Sequence, residues 1–552
     1  MTTYERMRAD FALQIPDDYN FGFDLVDRRA ATDDGPCFIH VPRSGEGHEV
    51  HTFGDLSAAS NRFANVLRGL GAAKGEFACV VIPRIPAWYQ VLVGCMKVGV
   101  VAMPGTNLLT AKDLEYRINR ARATIAVVTA DHADKVESIR GKCPTLRHLI
   151  LVGGARDGWI SYDAACAAAA PVLARGDVAP SKSTDLMLCY FTSGTTSMPK
   201  MVPRDHAYAL AHTITGRYWQ DLRPGDVHWT LTDTGWAKAA WGILFPPMLM
   251  GATILLFDGE GFDADLHLRL IARHKVTTFC APPTVYRLFA QMDLGAYDLS
   301  SLRHCIGAGE PLNPEVMKTW KEATGTEVHD GYGQTETVNI VANFPGMEVR
   351  PGSMGRPVPG IVVDIVDDDG NVLPDGEVGH IAVRLPRDGS EPWPPGLFHG
   401  YYEDDEANAR CFHDGWYYTG DTATRDADGY IWFVGRSDDI IGSASYRISP
   451  FEVESALIEH PAVMESAVVG KPDPLRGEIV KAYVILAPGY EPSDDLAREI
   501  QEFVKAQTAP YKYPREIEFR DELPKTISGK IRRVELRDQA RAEAGTNGEA
   551  GA

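Results

Sequence analysis

Short apolar runs alternate with amphipathic stretches through the first half of the chain. Phe77–Pro83 and Ala123–Thr129 are short and nearly all apolar, which predicts buried strands, and Trp88–Val98 between them has the pattern of a helix. The same alternation returns in 187–256 and in 276–334. Strands that alternate with helices predict α/β layers with a mostly parallel sheet.

Beyond about residue 350 the pattern becomes one of short strands and tight turns. The sequence predicts three strands, separated by turns such as Asp369-Gly370 and Asp428-Gly429: Val362–Asp367, Glu377–Arg384 and Tyr430–Val434. After Gly435 helices are predicted at Pro450–His460 and Ala497–Gln507, and strands at Val463–Val469 and Lys481–Leu486. About 100 residues of this kind are enough for a separate small domain.

Composition and charge narrow the class of protein. The chain has 552 residues and a net charge of −20, so it is a poor candidate for nonspecific nucleic-acid binding or for docking on anionic membranes. The longest apolar stretch, Val91–Pro104, is interrupted by Lys97 and is shorter than the roughly 20 residues that span a bilayer. No secretory signal is visible, and nine scattered cysteines without a CxxC pair predict reduced thiols, no metal-site spacing and a cytoplasmic location.

A loop rich in hydroxyl groups carries the first candidate chemistry. The apolar run Leu186–Phe191 is followed by Thr192-Ser193-Gly194-Thr195-Thr196-Ser197-Met198-Pro199-Lys200. Glycine lets the backbone approach an anion, hydroxyl and N–H groups donate to it, and Lys200 adds a positive charge, so the loop predicts phosphate binding. The spacing is not that of a Walker A loop, and an ordinary surface loop is the alternative on composition alone.

A second motif places one carboxylate between two hydroxyls: Asp330-Gly331-Tyr332-Gly333-Gln334-Thr335-Glu336-Thr337. Mg²⁺ that is shared with phosphates prefers few protein carboxylates, so Glu336 is a candidate ligand. A tight turn before a strand explains the same residues equally well when the motif is considered alone.

Two further motifs give weak signals by themselves. Asp421 follows a glycine turn and can accept two ribose hydroxyls, while Arg436 is close enough in sequence to reach a phosphate of the same nucleotide. The basic cluster Pro524–Arg533, which contains Lys530, is what an acidic protein needs near a polyanion. A hairpin turn and a solvated charge run are the respective alternatives.

Together these motifs resemble those of the AMP-forming acyl-CoA synthetases of the adenylate-forming superfamily, with the medium-chain acyl-CoA synthetases as the nearest match. The resemblance covers the chain after about residue 20 and includes Thr232–Trp236, Gly307–Leu312, Gly355–Gly360 and Tyr446–Glu454. It implies a large N-terminal domain of stacked α/β sheets with a β-rich lobe (1–437), a small mobile α+β C-terminal domain (438–540) and a flexible tail (541–552).

The resemblance also implies an activity and the residues that carry it. The family converts a carboxylic acid and ATP into an acyl-adenylate, releases pyrophosphate, and then transfers the acyl group to coenzyme A. It implies phosphate contacts from Thr192, Ser193, Gly194, Thr195, Thr196 and Lys200, an adenine site at Gly309, Glu310, Pro311, Asp330, Gly331, Tyr332 and Gln334, and ribose contacts from Asp421 with Arg436. Thr335 would contact the α-phosphate, Glu336 would hold Mg²⁺, and Lys530 would bridge the carboxylate and the α-phosphate.

The acid and coenzyme A sites are implied less directly. Gly333 stands where acetate-specific relatives carry a Trp, which implies a roomy pocket lined by Trp236, Gly333 and Val338, with Ala239, Trp241 and Val285 as further walls or as ordinary core. The resemblance implies that coenzyme A is contacted by Ser445, Tyr446, Arg447, Lys471, Arg476 and Lys512. It also implies that Asp438 is the hinge between the domains. Ser445 stands where the family usually has Gly near coenzyme A.

The sequence therefore predicts an ATP-dependent acid–CoA ligase that uses ATP, Mg²⁺ and coenzyme A and acts on a medium-chain, branched or aromatic acid rather than acetate. Because of Ser445, an adenylating enzyme with another acyl acceptor stays an alternative, and a nucleotide-binding module without catalysis is a third. No nucleic-acid partner is expected, and the oligomeric state is open, a homodimer included.

Overall fold

The chain folds into two compact units. The computed structural model describes residues 3–192, 198–308, 314–388, 391–437, 439–443, 446–474, 476–525 and 531–549. Of the described residues, the first unit contains those in 3–192, 200–362 and 386–408, and the second contains those in 198–199, 363–385 and 409–549. The domain boundary predicted at 437/438 stays a prediction, because the second unit contains residues from both sides of it.

The first unit alternates strands and helices along the chain. Its strands are β1 (Pro36–Val41), β2 (Glu49–Thr52), β3 (Phe77–Val81), β4 (Val101–Pro104), β5 (Ile125–Thr129), β6 (His148–Val152), β7 (Ile160–Ser161), β8 (Leu186–Phe191), β9 (Met201–Asp205), β10 (Val227–Thr230), β11 (Thr253–Phe257), β12 (Thr278–Ala281), β13 (His304–Gly307), β14 (Val328–Gly333), β15 (Asn339–Ala342) and β16 (Arg356–Pro357). Its helices are α1 (Thr3–Ala9), α2 (Arg28–Thr32), α3 (Phe53–Gly69), α4 (Pro86–Val98), α5 (Ala111–Ala121), α6 (Ala130–Ile139), α7 (Tyr162–Ala168), α8 (His206–Ile214), α9 (Ala237–Ala239), α10 (Phe245–Met250), α11 (Ala264–Arg273), α12 (Pro283–Ala290) and α13 (Pro314–Thr324). Single π turns occur at Gly22–Asp27, Thr215–Trp219 and Ala240–Leu244, and 3-10 turns at Arg140–Lys142, Arg175–Asp177 and Leu294–Ala296.

Two sheets organise the first unit. One has the order β7-β6-β5-β3-β4-β8-β9 and is parallel apart from the β8–β9 pair. The other has the order β16-β15-β14-β13-β12-β10-β11-β1-β2 and is parallel from β1 to β14, with antiparallel strands at both ends. The predicted α/β class with mostly parallel sheets is confirmed.

Helix α4 lies between the two sheets. It contacts β4 and β8 of the seven-stranded sheet, while its Tyr89 stacks on Phe38 of β1 in the nine-stranded sheet with ring centroids 4.7 Å apart. Pro86 fits the first helical turn because it has no N–H to leave unpaired, and Gly99 ends the helix with a φ of 77°. Burial on both faces explains why β3 is apolar at every position.

The second unit is built from two small sheets. The first consists of β17 (Val363–Val366), β18 (Gly379–Arg384), β19 (Phe412–His413), β20 (Trp416–Arg425) and β21 (Ile431–Arg436), in the order β17-β18-β20-β19 with β21 paired to β20. The second consists of β22 (Ile441–Ser443), β23 (Tyr446–Ile448), β24 (Val463–Asp473), β25 (Gly477–Leu486) and β26 (Glu516–Phe519), in the order β23-β22-β25-β24 with β26 paired to β25. The helices are α14 (Asp405–Cys411), where the chain enters this unit, α15 (Pro450–Ile458), α16 (Asp494–Gln507) and α17 (Arg533–Glu549).

Helix α17 occupies most of the segment for which we expected a flexible tail. The tail predicted from residue 541 is helical as far as Glu549. Glu543 contributes to holding this helix, because its carboxylate accepts hydrogen bonds from Lys471 at 2.9 Å and from Lys481 at 2.7 Å, while the flexibility of the tail stays a prediction. Among the described residues, no helix is both long and apolar enough to cross a membrane.

Candidate active site

The predicted phosphate loop starts and ends on neighbouring strands of the seven-stranded sheet. Thr192 follows β8 and Lys200 precedes β9. The Thr192 N–H donates to the Lys200 carbonyl oxygen and the Lys200 N–H donates to Thr192 Oγ1, each over 3.0 Å. These two bonds close the base of the loop. Ser193, Gly194, Thr195 and Thr196 lie outside the described residues.

Tyr401 connects two of the residues that the sequence assigns to ATP. Its hydroxyl donates to Glu336 Oε1 over 2.8 Å, and the Lys200 ammonium lies 4.7 Å from the centre of its ring. Glu336 is buried, with 8% of its surface exposed. The structure therefore brings the end of the phosphate loop and the proposed metal ligand together through a tyrosine that the sequence analysis did not single out.

Arg204 holds the backbone at Glu336. Its guanidinium donates to the Glu336 carbonyl oxygen over 2.9 Å and to the carbonyl oxygen of Gly396, and it lies 3.6 Å from the centre of the Tyr208 ring. Burial lowers the pKa of Arg204. The sequence analysis missed this residue too, although an arginine inside a buried strand just after the phosphate loop is an unusual feature that could have marked it.

Asp330 is a buried carboxyl group in β14, at the last residue pair of the parallel ladder with β13. The parallel register pairs it with Gly307, and Gly331 N–H donates to its Oδ1 over 2.8 Å. Burial raises the pKa of Asp330 from its ordinary 3.8 to about 7, against the opposing effect of that hydrogen bond. Gly309, Glu310 and Pro311, which we also assign to the adenine, lie outside the described residues.

The rest of this motif turns sharply from β14 towards β15. A Cβ at Gly331 would lie 2.4 Å from the Trp219 indole, so only glycine fits there. The Tyr332 carbonyl accepts from Asn339 Nδ2 over 3.3 Å, and the Gln334 N–H donates to Thr337 Oγ1 over 2.9 Å. Thr335 is half-buried in this turn, beside Glu336.

The candidate acyl-pocket residues Gly333, Val338 and Trp241 are in contact. A Cβ at Gly333 would lie 2.4 Å from Trp241 Cη2 and 2.4 Å from the Val338 carbonyl oxygen. The expectation that glycine leaves room at this point therefore needs correction, because the indole and the backbone occupy that space. Trp236 is half-buried at the start of α9, and Val285 packs in the core on the nine-stranded sheet.

In the second unit, the two predicted ribose-site residues stand side by side. Asp421 on β20 is paired in register with Arg436 on β21, and Arg436 Nε lies 3.8 Å from Asp421 Oδ1. Asp421 is buried, and Gly420 before it adopts a φ of 76°, a left-handed conformation that glycine reaches without strain.

The predicted catalytic Lys530 and hinge residue Asp438 lie outside the described residues, but the chain around them is anchored. The Arg532 N–H donates to the Pro524 carbonyl over 2.8 Å. Arg533 binds buried Glu454 with two hydrogen bonds of 3.0 and 2.6 Å, and Arg537 binds Asp439 over 3.0 Å. The first turns of α17 are thus fastened to α15 and to the residue after Asp438.

Of the basic residues predicted to bind coenzyme A, Lys471 and Lys512 form ion pairs with glutamates. Lys471 binds Glu516 and Glu543, and these bonds outweigh burial and raise its pKa. Lys512 binds Glu452 over 2.5 Å, whereas the Arg476 side chain is exposed. Ser445 lies outside the described residues, as do the side chains of Tyr446 and Arg447, so these assignments stay predictions.

Comparison with known proteins places these features in a family. A family model described as "AMP-binding enzyme" matches residues 26–402, and one described as "AMP-binding enzyme C-terminal domain" matches residues 452–530. Acyl-coenzyme A synthetase ACSM3 of Rattus norvegicus, named as mitochondrial, is 44% identical over 548 residues, which cover 97% of this chain and 93% of that protein. The human ACSM4, also named as mitochondrial, is 45% identical over 539 residues, which cover 95% and 91%.

Solved structures agree over nearly the full length. The anthranilate CoA ligase AuaEII in complex with anthranoyl-AMP has a TM-score of 0.87 at 35% identity and covers 96% of this chain and 99% of its own. A benzoate CoA ligase from Burkholderia xenovorans LB400 has a TM-score of 0.78 at 28% identity, with 94% and 100% covered. The chain belongs to the AMP-binding enzyme family, and within it to the acyl-CoA synthetases, which activate an acid with ATP and transfer it to coenzyme A.

Proposed function

We propose that this acyl-CoA synthetase activates a medium-chain, branched or aromatic acid in preference to acetate. The packing of Trp241 against Gly333 carries this proposal, because it places an indole edge next to the motif assigned to the nucleotide. Apolar surroundings favour an acid with apolar bulk. The relatives named as anthranilate and benzoate CoA ligases support an aromatic acid.

The chemistry follows from the charges. Attack of a carboxylate on the α-phosphate brings two anions together, and the ammonium of Lys530 offsets their repulsion and the charge that develops on the phosphoryl group. The acid is already ionised at neutral pH, so no general base is needed. Thr335 contacts the α-phosphate, and the phosphate loop with Lys200 holds the outer phosphates in line for displacement.

Glu336 fits the role of a Mg²⁺ ligand. It is a buried carboxylate that receives a hydrogen bond from Tyr401, and it stands between the hydroxyl residues Thr335 and Thr337. Mg²⁺ commonly uses one or two protein carboxylates together with phosphate oxygens. When bound, the ion supplies positive charge that neutralises the leaving pyrophosphate.

The remaining assignments complete the proposal. Asp421 accepts the ribose hydroxyls beside Arg436, and the basic residues of the second unit, Arg447, Lys471, Arg476 and Lys512, together with Ser445 and Tyr446, meet coenzyme A. A hinge at Asp438 separates the two half-reactions. We further propose a cytoplasmic location, which cell fractionation would test against the mitochondrial names of the relatives. The oligomeric state stays open, a homodimer included, and light scattering would measure it.

The decisive experiment is AMP release by the purified protein with ATP, Mg²⁺ and coenzyme A. The acid panel comprises acetate, butyrate, hexanoate, octanoate, 2-methylbutyrate, benzoate, anthranilate and a cinnamate. We expect coenzyme A-dependent AMP release with a medium-chain, branched or aromatic acid and little with acetate. A preference for acetate would overturn the substrate proposal, whereas ATP–pyrophosphate exchange without coenzyme A-dependent release would indicate another acyl acceptor.

A further inference from the structure

Two histidines and a glutamate cluster on the hairpin of β1 and β2, at one end of the nine-stranded sheet. The antiparallel register places His40 opposite Glu49, and Phe38 opposite His51. Since side chains alternate between faces along a strand, His40, Glu49 and His51 share one face. One ligand atom from each of the three side chains lies within 4.8 Å of the other two.

The distances come close to those of a metal centre. His51 Nε2 lies 3.5 Å from Glu49 Oε2, and His40 Nδ1 lies 4.0 Å from the same oxygen. Zinc binds nitrogen and oxygen at about 2.0–2.2 Å, so neighbouring ligand atoms in a tetrahedral site are roughly 3.4 Å apart. The His51–Glu49 distance is already close to that value, and a contraction of about half an ångström brings the His40–Glu49 distance to it.

The hydrogen bonding of the His51 imidazole is incomplete. His51 Nε2, the atom nearest Glu49, is buried and has no hydrogen-bond partner. Buried polar atoms are nearly always satisfied, so this nitrogen calls for an explanation. On His40 the unpartnered atom is Nε2, whereas Nδ1 faces Glu49. The His51 ring is held in place by stacking on Phe38, at 4.7 Å and 23°. Stacking orients the ring but leaves its nitrogens available to a ligand.

We propose that His40, Glu49 and His51 bind a divalent transition-metal ion of the zinc type, with the remaining position open to water beside the exposed Glu49 carboxylate. Two imidazoles with one carboxylate suit such an ion, whereas Mg²⁺ and Ca²⁺ prefer oxygen ligands throughout. Because β2 is an end strand of its sheet, the ion fastens this hairpin. None of the three residues belongs to the sites assigned to ATP, the acid or coenzyme A, so the inference does not depend on the proposed function.

The test is a titration of the chelator-treated full-length protein with Zn²⁺, followed by calorimetry, and with Co²⁺, followed by its visible d–d absorption. We expect one tight site per chain, and a melting temperature that rises with added Zn²⁺. His51→Phe keeps a ring to stack on Phe38 but removes the ligand, and it should weaken binding about tenfold or more and abolish the Co²⁺ band. His48→Gln is the matched control, because it removes an exposed histidine of the same hairpin that lies outside the cluster.

Glu49→Gln is the second variant, since its exposed side chain can change without threatening the fold. It should weaken Zn²⁺ binding, while ATP–pyrophosphate exchange with Mg²⁺ stays at the wild-type level and reports an intact protein. Equal titration curves for wild type and both cluster variants, or a wild-type protein that binds no Zn²⁺, would overturn the proposal.

Discussion

The hydroxyl group of Tyr401 donates the hydrogen bond that positions the Glu336 carboxylate. Tyr401→Phe removes its 2.8 Å hydrogen bond but keeps the ring beside Lys200. A hydrogen bond to a charged group contributes about 1.5–3 kcal/mol, so we expect roughly a 10- to 100-fold loss in the rate of ATP–pyrophosphate exchange and a higher Mg²⁺ requirement. Steady-state exchange at several Mg²⁺ concentrations measures both.

Tyr297→Phe is the matched control for that variant. Tyr297 also donates to a carboxylate over 2.8 Å, that of Asp265, and neither residue belongs to the sites described above. Loss of the Tyr297 hydroxyl should leave the rate of ATP–pyrophosphate exchange unchanged. Equal rates for Tyr401→Phe and wild type would mean that the tyrosine does not position Glu336.

Asp330 makes stability depend on pH. The pKa of Asp330 is about 7 in the folded protein, above its ordinary value of 3.8. Between pH 3.8 and pH 7 the carboxyl group therefore keeps its proton in the folded state but has lost it in the unfolded state. The contribution of Asp330 to the free energy of unfolding is fully present below pH 3.8 and is lost as the pH rises towards 7. Asp330→Asn should therefore raise the melting temperature of the ligand-free protein above about pH 7 relative to wild type, by an amount that shrinks towards pH 4. A constant difference across this range would contradict the assignment.

A change at Trp241 tests which acids the pocket accepts. Gly333 cannot be enlarged for this purpose, because it has no room for a side chain. Trp241→Phe should shift kcat/KM towards bulkier acids, because each methylene that a pocket gains or loses changes discrimination by about 1–3 kcal/mol. Trp159→Phe, which alters a buried tryptophan in the core of the seven-stranded sheet, is the control. It should lower stability comparably and leave the order of preferred acids unchanged; an unchanged order in both variants would exclude Trp241 from the pocket.

Among the elements, helix α17 begins at Arg533, three residues after Lys530 in the sequence. Its Arg533 binds Glu454 through two hydrogen bonds, and Arg533→Lys cannot reproduce this bidentate geometry. We expect adenylate formation to slow more than thioester formation from a supplied acyl-adenylate, because only the first step uses Lys530. The two half-reactions are measured separately. Arg498→Lys, in an exposed ion pair of α16, should change neither, and equal slowing of both steps by Arg533→Lys would mean that the bond serves general stability alone.

The elements themselves were largely predictable from sequence, because local patterns determine them. The run that predicts Phe77–Pro83 becomes β3, and the predicted helix Trp88–Val98 becomes α4, which starts two residues earlier at Pro86. Segments such as Pro450–His460 and Lys481–Leu486 are also confirmed, with ends that differ by a few residues. Hydrophobic period and turn residues are enough for this level of structure.

The candidate site was less predictable where its contacts are distant in sequence. The Tyr401 hydroxyl and the Arg204 guanidinium reach Glu336 from other parts of the chain, and no local pattern announces such contacts. The space around Gly333 was misjudged for the same reason, since Trp241 fills it from another element. Likewise, Glu543 of α17 binds lysines on β24 and β25, contacts that no local pattern predicts.

For the whole molecule, the net charge of −20 means that an anionic substrate is attracted only where local cations outweigh the overall field. Lys530 is the cation that we assign to the reacting atoms. Lys530→Ala should nearly abolish adenylate formation, because nothing else is assigned to offset the repulsion between carboxylate and α-phosphate. Thioester formation from a supplied acyl-adenylate should persist, since that step attacks a carbonyl carbon and no longer joins these two anions.

Lys525→Ala separates this role from a general effect of the basic residues in the predicted cluster Pro524–Arg533. Lys525 precedes Lys530 by five residues in the sequence and pairs with Glu465 over 2.8 Å at the surface, where ion pairs contribute little. It should leave both half-reactions close to wild type, as judged by ATP–pyrophosphate exchange and by coenzyme A-dependent release of AMP from the acyl-adenylate. If Lys530→Ala slowed both half-reactions equally, the lysine would act on the whole enzyme; if it slowed neither, the resemblance would have assigned the wrong residue to the transition state.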